Sequence, residues 1–289
     1  MATSREWIAG ARPRTLPAAT APVLIGSGAA AQVDSFAWLP ALLALGVALA
    51  LQVGVNFAND YSDGVRGTDL DRVGPLRLTA SGAARPGQVK LAAFSAFGVA
   101  AGLGLALCVV TGHWWLLAVG AACILAAWYY TGGRRPYGYL GLGEVGVFVF
   151  FGLVATLGTT YTQADRVTWP AVLGAVGVGL IACALLMVNN LRDIPTDAVA
   201  GKRTLAVRLG DRRARRVYAA MVLVPVLLGM ACAFWSPWAL LTVVLTGPAA
   251  LLILPVLAGA RGRLLVPVLA GTGLYELGYG ILLGVALAV

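Results

Sequence analysis

The feature that most constrains this chain is a series of long apolar segments that recurs along almost its whole length. A bilayer-spanning helix needs about 20 mostly apolar residues, and nine segments of the chain meet that requirement. They lie at about 15–33, 36–58, 88–111, 114–131, 140–162, 168–190, 217–234, 237–258 and 265–288. Only 11% of the residues are charged, which is too little for the surface of a soluble domain. The sequence therefore predicts an all-α polytopic membrane protein, a bundle of nine transmembrane helices forming one domain over 1–289.

Positive charge is distributed unequally between the two sides of this predicted bundle. The connections are short except at 59–87, 132–139 and 191–216. With nine crossings, the N-terminus shares one side with the connections that follow the even-numbered segments, and every lysine and arginine except Arg166 lies there. Because loops rich in Lys and Arg stay in the cytoplasm, this side is predicted to be cytoplasmic. The net charge of +9 then reflects orientation in a lipid bilayer and does not require nucleic acid as a partner.

Carboxylates gather at two places on the predicted cytoplasmic side, directly after the second and sixth apolar segments. The later cluster lies in "NNLRDIPTDAVAGKRTLAVRLG", residues 189–210. Asn189, Asp193 and Asp197 are spaced four residues apart there, which places them on one face of a helix. Pro195 is expected to loosen the helix before Asp197. This spacing predicts that the three side chains act together.

The earlier cluster, "NFANDYSDGVRGTD" at 56–69, contains the same Asn-to-Asp spacing in two registers. One register pairs Asn56 with Asp60, and the other pairs Asn59 with Asp63. Two further aspartates follow at positions 69 and 71. The recurrence of this pattern indicates a weak internal repeat, and a helical bundle is expected to bring the two clusters face to face.

Carboxylates that crowd together at a membrane edge repel one another unless a cation joins them. Carboxylate and amide oxygens favour a hard cation such as Mg²⁺, which binds one or two protein carboxylates together with substrate phosphates. The nearest basic residues along the sequence are Arg72, Arg77 and Lys202. These residues predict a diphosphate headgroup at the membrane edge with its tail in the bilayer, which describes a polyprenyl diphosphate. The alternative is that the aspartates pair with loop arginines and only solubilise the helix ends.

Other polar and aromatic residues allow more than one interpretation. The aromatic stretches "AAWYYTGG" (126–133) and "EVGVFVFFG" (144–152) are typical of an interfacial belt, but they also suit a pocket for a flat substrate. Glu144 and Glu276 fall within apolar segments, where a carboxyl group is a candidate functional residue. His113 is the only histidine, which argues against histidine–metal and Ser-His-Asp chemistry.

Five stretches together resemble the UbiA-type intramembrane aromatic prenyltransferases over nearly the whole chain. They are "GARPRTLPAATAPV", "NFANDYSDGVRGTDLDRVGP", "YTGG", "GLGEVGVFVFFG" and "NNLRDIPTDAVAGKRTLAVRLG". Within that superfamily the chain is most similar to the bacterial members that prenylate 1,4-dihydroxy-2-naphthoate in menaquinone synthesis. The resemblance implies two Asp-rich motifs, at 59–69 and 189–197, and a location in the bacterial cell membrane.

The resemblance also implies a reaction and a set of residues. Mg²⁺ and basic residues would stabilise the departing diphosphate, and 1,4-dihydroxy-2-naphthoate would attack the allylic carbon with loss of carbon dioxide. The predicted Mg²⁺ ligands are Asn59, Asp63, Asp69, Asp193 and Asp197. The predicted catalytic residues are Asp60, Asp63, Asp193, Asp197 and Lys202. The predicted substrate-binding residues are Asn56, Asn59, Arg72, Arg77, Tyr130, Arg134, Glu144 and Asn189.

Two departures from the family pattern concern individual residues. Several relatives place a third aspartate four residues after the position of Asp63, whereas Asp69 here follows it by six. Some relatives carry a lysine near "YTGG", where this chain has Arg134 and Arg135.

Three other functions compete with this interpretation. A UbiA-type enzyme with a different aromatic acceptor would keep the same motifs. A CDP-alcohol phosphotransferase would share the opening "DYSDG" at 60–64, but Gly67 and Thr68 stand where that motif requires Ala-Arg. An ion-coupled transporter would place its carboxylates near the bilayer midplane, where only Glu276 is predicted.

Overall fold

The structure, a computed structural model, describes residues 2–67 and 76–289 and contains no β-strand within that part of the chain. Its α-helices, numbered α1 to α12 in chain order, are Ser4–Ala11, Pro17–Ala31, Trp38–Arg66, Pro86–Thr111, Leu116–Tyr129, Gly143–Val147, Ala155–Ala164, Trp169–Val199, Leu205–Leu209, Asp211–Ala231, Thr246–Leu257 and Leu265–Ala288. A π-helical segment, Phe148–Val154, joins α6 to α7. The all-helical class is confirmed, and the predicted site residues Asp69 and Arg72 lie outside the described residues.

Within the described residues, seven helices are long and apolar enough to cross a membrane. They are Trp38–Arg66, Pro86–Thr111, Gly143–Ala164, Trp169–Val199, Asp211–Phe234, Pro237–Leu257 and Gly262–Ala288. The other two predicted segments, 15–33 and 114–131, correspond to α2 and α5, which have 15 and 14 residues. The count of nine crossings therefore stays a prediction.

The helices that carry the two aspartate clusters continue past the apolar segments. Helix α3 ends only at Gly67, whose φ of 72° gives the left-handed conformation that closes a helix. Helix α8 begins at Trp169 and is capped by Thr168, whose hydroxyl oxygen accepts a hydrogen bond from the N–H of Ala171. It continues through Pro195 to Val199. Both helices therefore continue into the predicted connections, and α8 does so as the spacing of Asn189, Asp193 and Asp197 predicts. Hydropathy marks where the lipid ends, but a helix can continue into the polar layer.

Helices α2 and α12 pack closely because small residues line their contact. A Cβ atom placed on Gly28 would lie 2.1 Å from the carbonyl oxygen of Gly284, and one on Gly280 would lie 2.6 Å from the Cβ of Ala21. Helices α8 and α10 join this pair around a large apolar core that includes the fully buried Ile181. This core forms one side of the molecule.

A second, smaller core lies between α3 and α4. It is built from Phe57, Val89 and Phe97, together with Leu78 from the connection before α4. The ends of α3 and α8, which carry the two carboxylate clusters, face a cavity that is also lined by α2, α4, α5, the π-helical segment and α12. The fold thus places the two Asp-rich motifs at one cavity.

Candidate active site

The cavity has a volume of about 1490 Å³ and combines a polar end with an apolar body. The ionisable and amide side chains in its lining include Arg12, Arg14, Asn59, Asp63, Arg77, Asn189, Asn190, Arg192, Asp193, Asp197, Lys202 and Arg263. The apolar lining includes Val47, Leu51, Leu107, Leu116, Phe150, Phe151 and Val154. Asp63 of the first predicted cluster, Asp193 and Asp197 of the second, and two predicted cations, Arg77 and Lys202, therefore share one space.

Asp63 is held by two residues from other parts of the chain. The hydroxyl of Tyr139 donates a hydrogen bond to Asp63 Oδ1, and the same oxygen lies 3.5 Å from Lys202 Nζ. Lys202 Nζ also lies 4.6 Å from the centroid of the Tyr139 ring. Burial lowers the pKa of Lys202, but the charge of Asp63, with Tyr139 and Asp197, outweighs it and raises the pKa above its usual value. Lys202 is therefore a cation at neutral pH, as a ligand for phosphate requires.

Asn59 is positioned by the "YTGG" loop. The hydroxyl of Thr131 donates to Asn59 Oδ1 at 2.8 Å. The guanidinium of Arg66, near the end of α3, donates to the backbone carbonyls of Thr131 and Gly133. Two hydrogen-bonded links therefore connect this loop to the last turns of α3, and they orient Asn59 beside the cavity.

In the second cluster Arg192 forms hydrogen bonds with both Asn189 and Asp193. The guanidinium of Arg192 donates to both carboxylate oxygens of Asp193 at 2.7 Å and to Asn189 Oδ1 at 3.0 Å. The backbone carbonyl of Asp197 accepts from the N–H of Lys202 at 2.8 Å, which fixes the turn that carries the lysine. Asn189, Asp193 and Asp197 line the cavity together, as their spacing predicts.

The other register of the first motif holds connecting segments in place. The carboxylate of Asp60, fully buried and outside the cavity lining, accepts from the backbone N–H groups of Leu78 and Thr79 at 2.8 and 2.9 Å. These bonds anchor the segment that presents Arg77 to the cavity. The amide of Asn56 donates to the carbonyl oxygen of Ala11 at 2.9 Å, so it ties α3 to the N-terminal segment.

Three predicted substrate-binding residues, Tyr130, Arg134 and Glu144, differ in their position relative to the cavity. Tyr130 lines the cavity and meets Tyr137 edge to face, with ring centroids 5.5 Å apart. Burial raises the pKa of Tyr137 to about 12, so its hydroxyl keeps its proton. Arg134 is exposed and lies outside the lining. Glu144 is buried behind the lining and accepts a hydrogen bond from Asn190.

Glu276 lies away from this cavity. It is fully buried in the middle of α12, and neither carboxyl oxygen has a hydrogen-bond partner among the described residues. It does not line the cavity. The residue that most favours a transporter is thus separate from the carboxylate clusters.

Several lining residues are absent from the sequence-based site. Tyr139 and Asn190 carry no spacing pattern of their own, although Asn190 directly follows Asn189. Arg12 and Arg14 were interpreted only as charges that orient the chain. Arg192 lies inside the second motif, and its position between two motif residues was the one signal available.

The donor set of this cavity suits a hard divalent cation. Within residues 2–67 and 76–289, no three Asp, Glu, His or Cys side chains converge as a preformed metal cluster. Asn59, Asp63, Asn189, Asp193 and Asp197 nevertheless supply only oxygen ligands around one space. Because Mg²⁺ commonly takes one or two protein carboxylates and completes its shell with phosphate and water, these residues fit it.

A helical membrane protein whose cavity joins oxygen ligands and cations to a long apolar body has the architecture of a membrane-embedded enzyme for lipid diphosphates. The chain belongs to the UbiA prenyltransferase family, whose sequence profile matches residues 19–264. It is 52% identical over 288 residues to the 1,4-dihydroxy-2-naphthoate octaprenyltransferase of Mycobacterium tuberculosis, covering 100% of this chain and 98% of the relative. It is 42% identical over 226 residues to the enzyme of the same name from Escherichia coli, covering 76% and 73%.

Solved structures share the fold at low sequence identity. The apo structure of a UbiA homolog from Aeropyrum pernix matches with a TM-score of 0.69 at 16% identity, covering 93% of this chain and 96% of the other. A UbiA homolog from Archaeoglobus fulgidus bound to GPP and Mg²⁺ matches with a TM-score of 0.66 at 13% identity, covering 96% and 99%. These similarities establish the helical arrangement.

Proposed function

We propose that this protein transfers a polyprenyl group from polyprenyl diphosphate to 1,4-dihydroxy-2-naphthoate, releasing diphosphate and carbon dioxide and giving demethylmenaquinol, the reduced form of demethylmenaquinone. The observation that carries the proposal is the single cavity where the two aspartate clusters meet beside Arg77 and Lys202, with an apolar body for a lipid tail. The full-length identity with a naphthoate octaprenyltransferase supports the choice of acceptor.

In this proposal the polar end of the cavity binds the diphosphate. Asn59 and Asp63 on α3, with Asp193 and Asp197 on α8, would hold Mg²⁺ together with Asp69, which lies outside the described residues. When bound, Mg²⁺ neutralises negative charge on the phosphate oxygens. Lys202 and Arg77 supply fixed positive charge to the same oxygens, which stabilises the departing diphosphate.

The apolar body serves the rest of the reaction. The C–O bond to the diphosphate breaks with its electron pair on oxygen, and the allylic carbon gains positive charge. Water would capture that carbon, but side chains such as Phe150, Phe151 and Val154 line the cavity and exclude it. The electron-rich naphthoate ring then forms the new C–C bond, and its carboxyl group leaves as carbon dioxide. No covalent protein intermediate is required.

The proposed location is a bacterial cell membrane, with nine crossings and the polar end of the cavity in the cytoplasm. The support is that every lysine and arginine except Arg166 lies on one predicted side of the bundle. This assignment of sides requires nine crossings. Helix α2, at 15 residues, would cover only about 22 Å at 1.5 Å per residue. It would therefore cross the hydrocarbon core together with the residues that flank it.

The experiment that tests this function is an assay of the purified protein in detergent with Mg²⁺, a polyprenyl diphosphate and 1,4-dihydroxy-2-naphthoate. Parallel reactions would replace the acceptor with 4-hydroxybenzoate. The expected result is prenylated naphthoate, with release of carbon dioxide. Product from 4-hydroxybenzoate alone would exclude the naphthoate assignment and retain the family, and no prenyl transfer to any aromatic acceptor would exclude the function.

A further inference from the structure

Asn190 is a cavity residue whose orientation is set by a carboxyl group behind the cavity wall. Its amide nitrogen lies 3.2 Å from Oε1 of Glu144, and the two residues are only 8% and 5% exposed. Asn190 lines the cavity, whereas Glu144 does not. The backbone carbonyl of Glu144, on α6, accepts from the thiol of Cys183, on α8, at 3.1 Å, which joins the two helices at this level. Glu144 is thus linked to the cavity by its hydrogen bond with Asn190.

The contact with Glu144 determines which amide atom faces the cavity. The NH₂ group of Asn190 is the part that faces Glu144, because its nitrogen donates the hydrogen bond to Glu144 Oε1. Because the oxygen and nitrogen of an amide point in different directions, the carbonyl oxygen of Asn190 is directed away from Glu144, towards the cavity. Asn190 thus offers an acceptor, which selects a ligand that carries a hydroxyl or N–H group.

Asn190 lies deeper in the cavity than the residues proposed to bind the diphosphate. It lies about one helical turn, roughly 5 Å, from Asp193 in the direction of the apolar segment of α8. The next lining residue in that direction beyond the Asn pair is Leu186, so Asn190 stands where the polar lining gives way to the apolar one. A Cβ atom placed on Gly143, beside Glu144, would lie 3.3 Å from the hydroxyl of Tyr130. An aromatic ring of the protein therefore lies close to this level of the cavity.

We propose that Asn190 binds a phenolic hydroxyl group of the aromatic acceptor and that Glu144 is the positioning residue that keeps the amide oxygen turned towards it. This inference rests on the proposed function and assigns one of its two substrates to a residue. The hydroxyl donates to Asn190 Oδ1, and the amide N–H donates to Glu144, so the two bonds polarise each other. As the ring attacks the allylic carbon, positive charge spreads to the hydroxyl oxygen. The hydrogen bond to Asn190 then strengthens, which stabilises the transition state over the ground state.

The test compares Glu144→Gln, Glu144→Leu and Asn190→Leu in the full-length protein, using separate KM values for acceptor and polyprenyl diphosphate. The side-chain amide introduced by Glu144→Gln would still offer an oxygen to the Asn190 NH₂ group, so this variant should recover most of the activity that Glu144→Leu loses. Glu144→Leu and Asn190→Leu should raise the acceptor KM or lower kcat by on the order of tenfold, the cost of one hydrogen bond in a buried site. The KM for polyprenyl diphosphate and the Mg²⁺ concentration for half-maximal rate should stay unchanged.

A second measurement compares substrates within one variant, so it does not depend on what fraction of that variant is folded. Wild type and Asn190→Leu would be compared with 1,4-dihydroxy-2-naphthoate and with the two analogues that each lack one hydroxyl, as substrates or as competitors. Wild type should discriminate against one analogue by on the order of tenfold, and Asn190→Leu should lose that discrimination. Thr272→Val is the matched control for the loss of a buried hydrogen bond. It removes the 2.8 Å bond between Thr272 and Tyr218, and neither of these residues lines the cavity.

Each outcome bears on a different statement. No prenylated naphthoate from wild type would refute the proposed function. Normal wild-type turnover with an unchanged acceptor KM and unchanged analogue discrimination in Asn190→Leu would refute the role of Asn190. A changed Mg²⁺ requirement in Asn190→Leu would reassign its oxygen to the metal. A loss in Glu144→Gln as large as in Glu144→Leu would refute the positioning role of Glu144.

Discussion

Lys202 and Asp63 form an ion pair at the polar end of the cavity, with 3.5 Å between Nζ and Oδ1 and side-chain exposures of 12% and 7%. Asp63 belongs to α3, and Lys202 follows α8 by a short turn. The pair therefore joins the two Asp-rich motifs, and Tyr139 contacts both of its members. A buried pair of this kind holds a positive charge in place before a diphosphate arrives.

Lys202→Met should lower kcat by about 100-fold, the typical cost of one charged group that stabilises developing negative charge. The pKa of Lys202 is raised above its usual value of 10.5, so the lysine is charged and the ion pair is intact at any pH below 10.5. The stabilisation is lost only as the pH rises through the higher pKa of the folded protein. The ratio of wild-type to variant rates should therefore be constant between about pH 6 and about pH 9. A ratio that changes strongly in this window would show that another group carries the effect. Rate measurements across this range would check both statements.

Asp63→Asn and Asp193→Asn should each abolish prenyl transfer, with a loss of at least about 100-fold at saturating Mg²⁺. Each change removes a negative charge from the proposed metal site while keeping the size of the side chain. Circular dichroism and size-exclusion profiles in detergent should match wild type. Near-normal turnover by either purified variant would overturn the metal assignment.

Asp60→Asn should act mainly on stability, although Asp60 lies only three residues before Asp63. Both oxygens of Asp60 accept backbone N–H groups, and an amide can replace only one of them. The expected cost is about 1–3 kcal/mol of folding free energy. The KM for polyprenyl diphosphate should also rise, because the segment that carries Arg77 loses its anchor. Thermal unfolding of Asp60→Asn beside wild type in detergent would measure this loss. An unfolding temperature for Asp60→Asn equal to that of wild type would contradict it.

The contrast between these two aspartates illustrates what the sequence could predict. The spacing of Asn189, Asp193 and Asp197 was sufficient to place them on one helix face, because helical periodicity is a local property. The two registers in "NFANDYSDGVRGTD" could not be separated in that way. The choice between them depends on long-range contacts, such as the loop that binds Asp60.

The same limit applies to the residues that were not predicted and to the helix ends. Tyr139 reaches Asp63 from a different connection, and Asn190 is oriented by Glu144 from a neighbouring helix. Neither contact follows from spacing along the chain. Hydropathy located the apolar segments, which end before the helices α3 and α8 do. The helix continues where its backbone hydrogen bonds can form, whether lipid or water surrounds it.

Gly28→Ala should destabilise the protein by about 1–3 kcal/mol through overpacking between α2 and α12. The new methyl group would lie 2.1 Å from a backbone oxygen of Gly284, which no side-chain rotation can relieve. Gly102→Ala is the matched control, since a Cβ atom there meets nothing within 4 Å. The control should be neutral or slightly stabilising, because alanine favours a helix over glycine. Thermal unfolding in detergent measures both, and equal unfolding temperatures for the two variants would contradict the close packing.

Glu276→Leu should stabilise the protein and leave prenyl transfer intact. Among the described residues, neither oxygen of Glu276 has a hydrogen-bond partner, and a buried polar group without a partner costs about 1–3 kcal/mol. Leucine has a similar volume and removes that cost. Thr272, one turn earlier on α12, provides the contrast because its hydroxyl is paired with Tyr218. Thr272→Val should therefore lower the unfolding temperature, whereas Glu276→Leu should raise it. A loss of activity in Glu276→Leu would instead assign the carboxyl group of Glu276 a part in prenyl transfer.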